Sequence, residues 1–272
     1  MDLDLTRRVD EPRHVVSTTG QAQHATAPAF RTVADFVADG GPSMVFQPIV
    51  HIQSRQLLGA EALSRFPSAL GTELWFELAG SVGLRAEIEL SAARNALATV
   101  DEAMQAALGW EFVCINISPH TLLDVRFHEL IAAHVGREIV FEVSDTREHT
   151  DWALLRRCID RVRDLGCRVA VNSLTCDPAA QMARLREVAP EIIKLDRGYT
   201  STLIENRGRR RGTAEDFLRA CIRRGVFVVA VGVERMSDVA ALAELGVEAV
   251  QGYGIGEPQP IECFQPVDPG WD

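Results

Sequence analysis

Glu61, Asn116, Glu142, Asn172 with Ser173, Lys194, Val231 and Gln251 each stand at or near the end of a short apolar run. Glutamate, asparagine and glutamine oxygens suit hard cations such as Mg²⁺, Mn²⁺ or Ca²⁺, and none of them suits a metal that prefers thiolate. A polar residue that ends one buried strand is, taken alone, an ordinary satisfied core residue or the start of a loop. Six strands that end this way and converge on one axis make a site. Convergence requires strands whose carboxyl ends meet around a closed sheet.

The rest of the chain supplies such strands. Ser43 to Val50 and Leu57 to Arg65 are apolar, strand-like runs joined by the short polar segment His51 to Gln56, as a hairpin requires. Further strands are expected at Glu111 to Asn116, Glu138 to Val143, Arg168 to Asn172, Glu191 to Leu195, Val226 to Val231 and Glu248 to Gly252. Helical periodicity falls near Glu73 to Gly80, at Arg85 to Leu108, and between the later strands at Asp151 to Leu165, Pro178 to Val188, Thr213 to Arg223 and Ser237 to Leu245. Gly166, Gly225 and Gly246 follow helices and precede strands, where a left-handed residue ends a helix without a Cβ clash. Eight strands in this alternation predict an α/β fold, a TIM-like (β/α)8 barrel with one antiparallel strand contributed by the hairpin. Residues 1–40 are expected to form a flexible extension with one short helix near Thr32 to Ala38, residues 41–266 the barrel, and residues 267–272 a tail.

The bulk properties narrow the function. With 272 residues and 47% hydrophobic side chains the chain can bury one large core. A formal net charge of −10 argues against a DNA partner held by the general surface, so any anionic ligand must be held by local groups. The six cysteines (Cys114, Cys158, Cys167, Cys176, Cys221, Cys263) show no CxxC pair and are expected as buried, reduced thiols. No run approaches a membrane span and the N-terminus has no apolar leader, so a cytoplasmic, unprocessed protein is expected.

Several motifs stand in order: Phe46-Gln47-Pro48-Ile49-Val50, Gly59-Ala60-Glu61-Ala62-Leu63-Ser64-Arg65, Asn116-Ile117-Ser118-Pro119, Phe141-Glu142-Val143-Ser144-Asp145, Ile193-Lys194-Leu195-Asp196, Gly232-Val233-Glu234 and Gln251-Gly252-Tyr253. On these motifs the chain resembles the EAL family of cyclic di-GMP phosphodiesterases over roughly Ser43 to Pro266. The resemblance implies a two-metal site. Residues matching Glu61, Asn116, Glu142 and an Asp-Asp pair hold the ions, and a lysine matching Lys194 positions the attacking water. A glutamate ahead of Gly-Val-Glu completes the site and a glutamine matching Gln251 supports it. The ions activate water to open cyclic di-GMP to the linear dinucleotide.

The chain departs from that pattern where the metals would sit. Asn172-Ser173-Leu174-Thr175 replaces Asp-Asp-Phe-Gly, and Val231 replaces the glutamate, so three carboxylates are gone. Two dications ~4 Å apart repel by ~17 kcal/mol at an effective dielectric of about 20. With Glu61, Asn116, Glu142 and Asn172 left, no metal is expected at full occupancy, and one weakly held Mg²⁺, Mn²⁺ or Ca²⁺ is the most the remaining oxygens support. A substitute carboxylate from Asp177 is not expected, because an aspartate ahead of Pro178 is explained as a helix cap. The residues from Thr175 to Gln181 also lack the family's loop pattern, which bears on the homodimer seen in that family.

Ligand binding is separate from catalysis. The resemblance implies nucleotide contacts from Gln47, Glu61, Leu63, Arg65 and Gln251; Arg65 suits a charge-assisted phosphate contact or, alternatively, a surface salt bridge. Against binding, Ile255-Gly256-Glu257-Pro258 replaces the family's Phe-Gly-Arg-Pro, exchanging an aromatic for an aliphatic and a base for an acid. The expectation is a catalytically inactive, regulatory domain that acts as a cyclic di-GMP receptor or a protein-binding module. The alternative is a slow, metal-dependent phosphodiesterase. The run Arg207-Gly208-Arg209-Arg210-Arg211 is expected as a solvated loop ahead of a helix, His120, His128, His134 and His149 as surface residues, and Trp75 and Phe76 as packing against the barrel.

Overall fold

A computed structural model describes residues 31–67, 71–104, 110–136, 138–143, 152–173, 178–204 and 209–264. Its eight strands close into one barrel in sequence order: β1 (Ser43–His51), β2 (Leu57–Arg65), β3 (Phe112–Ile117), β4 (Ile139–Val143), β5 (Arg168–Ser173), β6 (Ile192–Leu195), β7 (Phe227–Val231) and β8 (Ala249–Gln251). β1 pairs antiparallel with both β2 and β8, and every other neighbour pair is parallel. The barrel is therefore the predicted one, hairpin included.

The described helices are α1 (residues 31–38), α2 (Thr72–Ser81), α3 (Arg85–Met104), α4 (Pro119–Leu122), α5 (Val125–Ala132), α6 (Trp152–Asp164), α7 (Pro178–Glu187), α8 (Arg197–Ile204), α9 (Arg209–Ile222) and α10 (Ser237–Glu244). Three of them were not expected from periodicity. α4 and α5 are one and two turns long, and each is set by its cap, Ser118 and Asp124, whose side chains accept from Thr121 N and Arg126 N. α8 starts after Asp196, whose carboxylate accepts from Tyr199 N at 2.7 Å. Gly166, Gly225 and Gly246 have the expected positive φ of 85°, 69° and 88°.

Strand alternation divides the core in two. Outward residues such as Phe46, Ile115, Phe141, Val171, Leu195 and Val228 pack under the helices. Inward residues Ile49, Leu58, Phe112, Cys114, Val140, Ala170, Ile192, Val229 and Ala249 fill the barrel itself. Each such apolar side chain, fully buried, stabilises the fold by about 1.5–3 kcal/mol for the larger types, so the interior is a packed plug rather than a pore. Gly59 sits opposite Phe112, whose carbonyl oxygen would lie 2.0 Å from a Cβ there, so only glycine lets β2 approach β3.

Four expectations need correction. Trp75 and Phe76 join Val33, Phe36, Phe66 and Ile88 in a separate cluster between α1, α2 and α3, with Phe66 stacked on Trp75 at 5.1 Å; they pack against α1 rather than the barrel. His128 is buried, its Nε2 2.9 Å from the Leu122 carbonyl, because it lies on the inner face of α5; burial lowers its pKa. The basic run is not all loop, since α9 begins at Arg209 and Arg211 pairs with Glu215 one turn on at 2.6 Å. Of the cysteines, Cys114, Cys167 and Cys221 are buried, Cys158 is half-buried and Cys263 is exposed, all as free thiols, so burial does not extend to Cys263. Asp177, Cys176, His149, residues 1–30 and 267–272 lie outside the described residues. No helix among the described residues is long and apolar enough to cross a membrane.

Candidate functional site at the barrel mouth

The register brings the inward polar residues together as neighbours at the carboxyl ends of the strands. Gln47 is opposite Glu61, Asn116 opposite Glu142, Asn172 opposite Lys194, and Val231 opposite Gln251. Apart from Glu61, each lies two residues from an inward apolar residue of the plug, so alternation turns it toward the axis, and Glu61 faces the axis opposite Gln47, beyond the register shift that separates it from Leu58.

Lys194 is at the centre. Its side chain is 3% exposed, and its Nζ donates to Glu61 Oε2 at 2.5 Å and to Glu142 Oε2 at 2.6 Å. The amides surround this triad with their N–H groups. Asn116 Nδ2 donates to Glu61 Oε1 at 2.6 Å, Gln251 Nε2 to Glu61 Oε2 at 2.7 Å, and Asn172 Nδ2 to Glu142 Oε1 at 3.1 Å. Gln251 also donates to Gln47 Oε1 at 3.0 Å, and Gln47 Nε2 donates to the Gly256 carbonyl at 3.1 Å. All four carboxylate oxygens therefore accept from within the protein.

Burial and pairing compete in setting the charges. Burial opposes the Glu61 carboxylate, yet the Lys194 ammonium and the bonds from Lys194, Gln251 and Asn116 outweigh it and hold its pKa below the usual value. For Glu142 burial dominates over the pull of Lys194, and its pKa is raised. Burial also opposes the Lys194 ammonium, but the two glutamates beside it push its pKa upward, so the lysine is charged at neutral pH. Two carboxylates and one ammonium leave at most one net negative charge at the centre of the mouth.

Second contacts hold the frame. Cys114, one inward step below Asn116, places its thiol 3.8 Å from Glu142 Oε2, and burial raises its pKa well above the usual range. Strand alternation from Asn116 is the sequence signal that places this cysteine inward. Glu89 of α3 is 4% exposed; its Oε2 accepts from Ser118 N at 2.9 Å and Ser118 Oγ at 2.7 Å, and its other oxygen pairs with Arg85. This fixes the exit of β3 just beyond Asn116, and no sequence motif marked Glu89. Asn172 Oδ1 and Gln251 Oε1 are buried acceptors without a hydrogen-bond partner among the described residues.

The remaining candidates lie outside the triad. Leu63 is half-buried on β2, and Val231 is half-buried and brings no oxygen. Arg65 is exposed at the end of β2; its Nη1 donates to the Ser64 carbonyl at 3.1 Å, and among the described residues it forms no salt bridge, so its guanidinium is available at the rim. Glu234 turns outward and pairs with Arg197 at 2.7 Å. Ile255 packs against the core and Glu257 is exposed. Ser173 ends β5, and the four residues after it lie outside the described ones.

Comparison with known proteins gives this mouth its context. The probable cyclic di-GMP phosphodiesterase PdeI of Escherichia coli K12 is 26% identical over 233 residues, which cover 81% of this chain and 29% of that protein. The chain thus spans less than a third of that relative. Among solved structures, the Xanthomonas citri FimX EAL domain in complex with c-diGMP superposes with a TM-score of 0.78 at 16% identity, covering 91% of this chain and all 100% of the other. Klebsiella pneumoniae BlrP1, in a manganese and cyclic di-GMP complex, superposes with a TM-score of 0.69 at 23% identity over 80% of this chain and 56% of the other. The family model for the EAL domain matches residues 31–258, from α1 to the loop after β8, and the chain belongs to the EAL domain family.

Proposed function

We propose that this chain is a regulatory EAL domain that does not hydrolyse cyclic di-GMP and acts as a receptor for that nucleotide or as a protein-binding module. The observation that carries this reading is the Lys194 ammonium seated between Glu61 and Glu142. A pair of divalent ions brings four positive charges, and the residues at the mouth do not fit it. One lysine already neutralises one carboxylate, Asn172 turns its N–H group to Glu142, and Val231 brings no oxygen. Two such ions would repel by ~17 kcal/mol at an effective dielectric of about 20, and among the described residues the opposing charge at the mouth is Glu61 and Glu142, already shared with Lys194. A single Mg²⁺, Mn²⁺ or Ca²⁺ would have to displace the ammonium or share its carboxylates, and is held weakly at most.

Receptor function is supported by the exposed guanidinium of Arg65 at the rim and by the two buried acceptors, Asn172 Oδ1 and Gln251 Oε1, which a ligand N–H or a bridging water would satisfy. The cyclic dinucleotides bound to the FimX EAL domain and to BlrP1 supply the ligand class. The second reading, a slow metal-dependent phosphodiesterase, is favoured by the gathering of Glu61, Asn116, Glu142, Lys194 and Gln251 at one mouth. It also accords with the activity named for PdeI. A protein partner, a homodimer and a cytoplasmic setting belong to the same proposal.

Calorimetric titration with cyclic di-GMP, in EDTA and again in Mn²⁺, tests it, with chromatography of the nucleotide afterwards. The expected result is a metal-independent affinity and no linear dinucleotide. Absence of binding leaves the protein-binding module, and sustained turnover in Mn²⁺ overturns the proposal in favour of the enzyme.

A further inference from the structure

The amino-terminal floor of the barrel, at the opposite end from the mouth, holds a cavity of about 300 Å³ between the β1–β2 hairpin and the starts of β3, β5, β6 and β7. Its bottom is apolar. Leu58 and Phe112 are the lowest members of the interior plug, 8% and 5% exposed, and Phe227 packs beside them. Its rim carries two opposite charges, Arg168 at the first position of β5 and Glu111 just ahead of β3.

These charges line one cavity and form no ion pair with each other. Glu111 is exposed, and among the described residues its carboxylate has neither an ion-pair nor a hydrogen-bond partner. Arg168 lies with its Cζ 5.1 Å above the Phe112 ring, and its Nε is sealed without a hydrogen-bond partner. Its one ion pair among the described residues is a long contact of 3.6 Å from Nη2 to Glu138, a side chain that is 67% exposed. The planar guanidinium fork, suited to a bidentate carboxylate, is therefore uncommitted on its outer edge. On the hairpin, His51 Nδ1 accepts from Ser54 N at 3.1 Å, which leaves Nε2 as the nitrogen carrying the proton and adds a donor to the rim.

A simple anion fits this rim poorly, because Glu111 lines it together with Arg168. A simple cation fits poorly because of Arg168. A small zwitterion with an apolar body answers both charges and the floor, and the volume lies at the lower end of the range for small-molecule pockets. We infer that this cavity is a binding site for a free α-amino acid with an apolar side chain, its carboxylate on Arg168, its ammonium on Glu111 and its side chain on Leu58, Phe112 and Phe227. The site is independent of whether the mouth binds or hydrolyses a nucleotide.

Titration of the full chain with L-leucine and L-phenylalanine, followed by ligand-observed NMR, tests the assignment. Saturable binding is expected, weakened at least tenfold by Arg168→Gln and likewise by Glu111→Gln, an exposed position whose substitution leaves the fold intact. Leucinamide and 4-methylpentanoate, which lack the carboxylate and the ammonium respectively, are expected to bind as weakly as leucine binds the two variants. Lack of saturation by both amino acids overturns the inference. So does binding indifferent to Glu111→Gln, or 4-methylpentanoate binding as tightly as leucine.

Discussion

The two ends of the barrel handle charge in opposite ways. At the mouth, Lys194 is locked by two carboxylates within 2.6 Å, and the three amides complete the bonding. At the floor, Arg168 and Glu111 share a cavity without meeting, and the cation rests on an aromatic ring. The difference teaches that a closed electrostatic unit keeps a fold in order without a ligand, whereas an open one leaves binding capacity. The closed kind stands at the place where the family resemblance implied two metal ions.

The largest effect is expected from Lys194→Met. Removing the ammonium leaves two buried carboxylates unpaired, and a loss of about 3–5 kcal/mol in urea unfolding at neutral pH is expected. Lowering the pH should return part of that loss as the carboxylates take up protons, and a variant as stable as the parent at pH 7 would mean that the triad is not a closed unit. In the parent the signs differ on the two flanks. Lys194 has a raised pKa when folded, so its contribution is complete below the ordinary lysine value of about 10.4 and fades as pH climbs through the folded value. Glu61 has a lowered pKa, so its contribution is present above the ordinary value of about 4.3 and fades as pH falls through the folded one. Glu142, raised by burial, works against Glu61 on the acid side, and the alkaline decline is therefore the cleaner reading of the triad in a melting series across pH.

An intermediate effect is expected from restoring charge. Asn172→Asp, Ser173→Asp and Val231→Glu together should reopen the mouth to Mn²⁺, giving about 2.7 kcal/mol of added stability at a metal concentration ~100-fold above its dissociation constant. Melting curves with and without Mn²⁺ check this. A triple variant indifferent to the metal would show that the end of β5 does not carry its new carboxylates to Glu142. The smallest effect is expected at the floor, where Arg168→Gln should cost no more than about 1 kcal/mol, because its ion pair is long and solvated and its ring contact is a modest one. A cost matching that of Lys194→Met would erase the contrast between the two ends.

Much of this architecture was legible in residue order. Short apolar runs of period two, punctuated by Gly166, Gly225 and Gly246, place all eight strands, since a barrel strand must alternate between plug and helix layer. The inward polar residues at the carboxyl ends follow from the same alternation. The lysine's role was not legible. Lys194 was expected to position a water, and its seat between Glu61 and Glu142 depends on three strands that lie far apart in sequence. α4, α5 and α8 escaped because helices of one or two turns are set by caps such as Ser118 and Asp124 rather than by a sustained period. Glu89 was hidden for a related reason: a buried acid on a long helix looks like any exposed one until the loop it braces is in view.

The reversed direction of β1 has a further consequence. In an all-parallel barrel the chain enters at the floor, but here the first strand starts at the mouth, and α1 stands just before it, with Phe36 against Phe66 at the end of β2. Residue 31, where the described chain begins, consequently belongs to a helix that stands beside the rim bearing Arg65. A movement of α1 would reach the rim directly through Phe36 and Phe66, without passing through the packed interior.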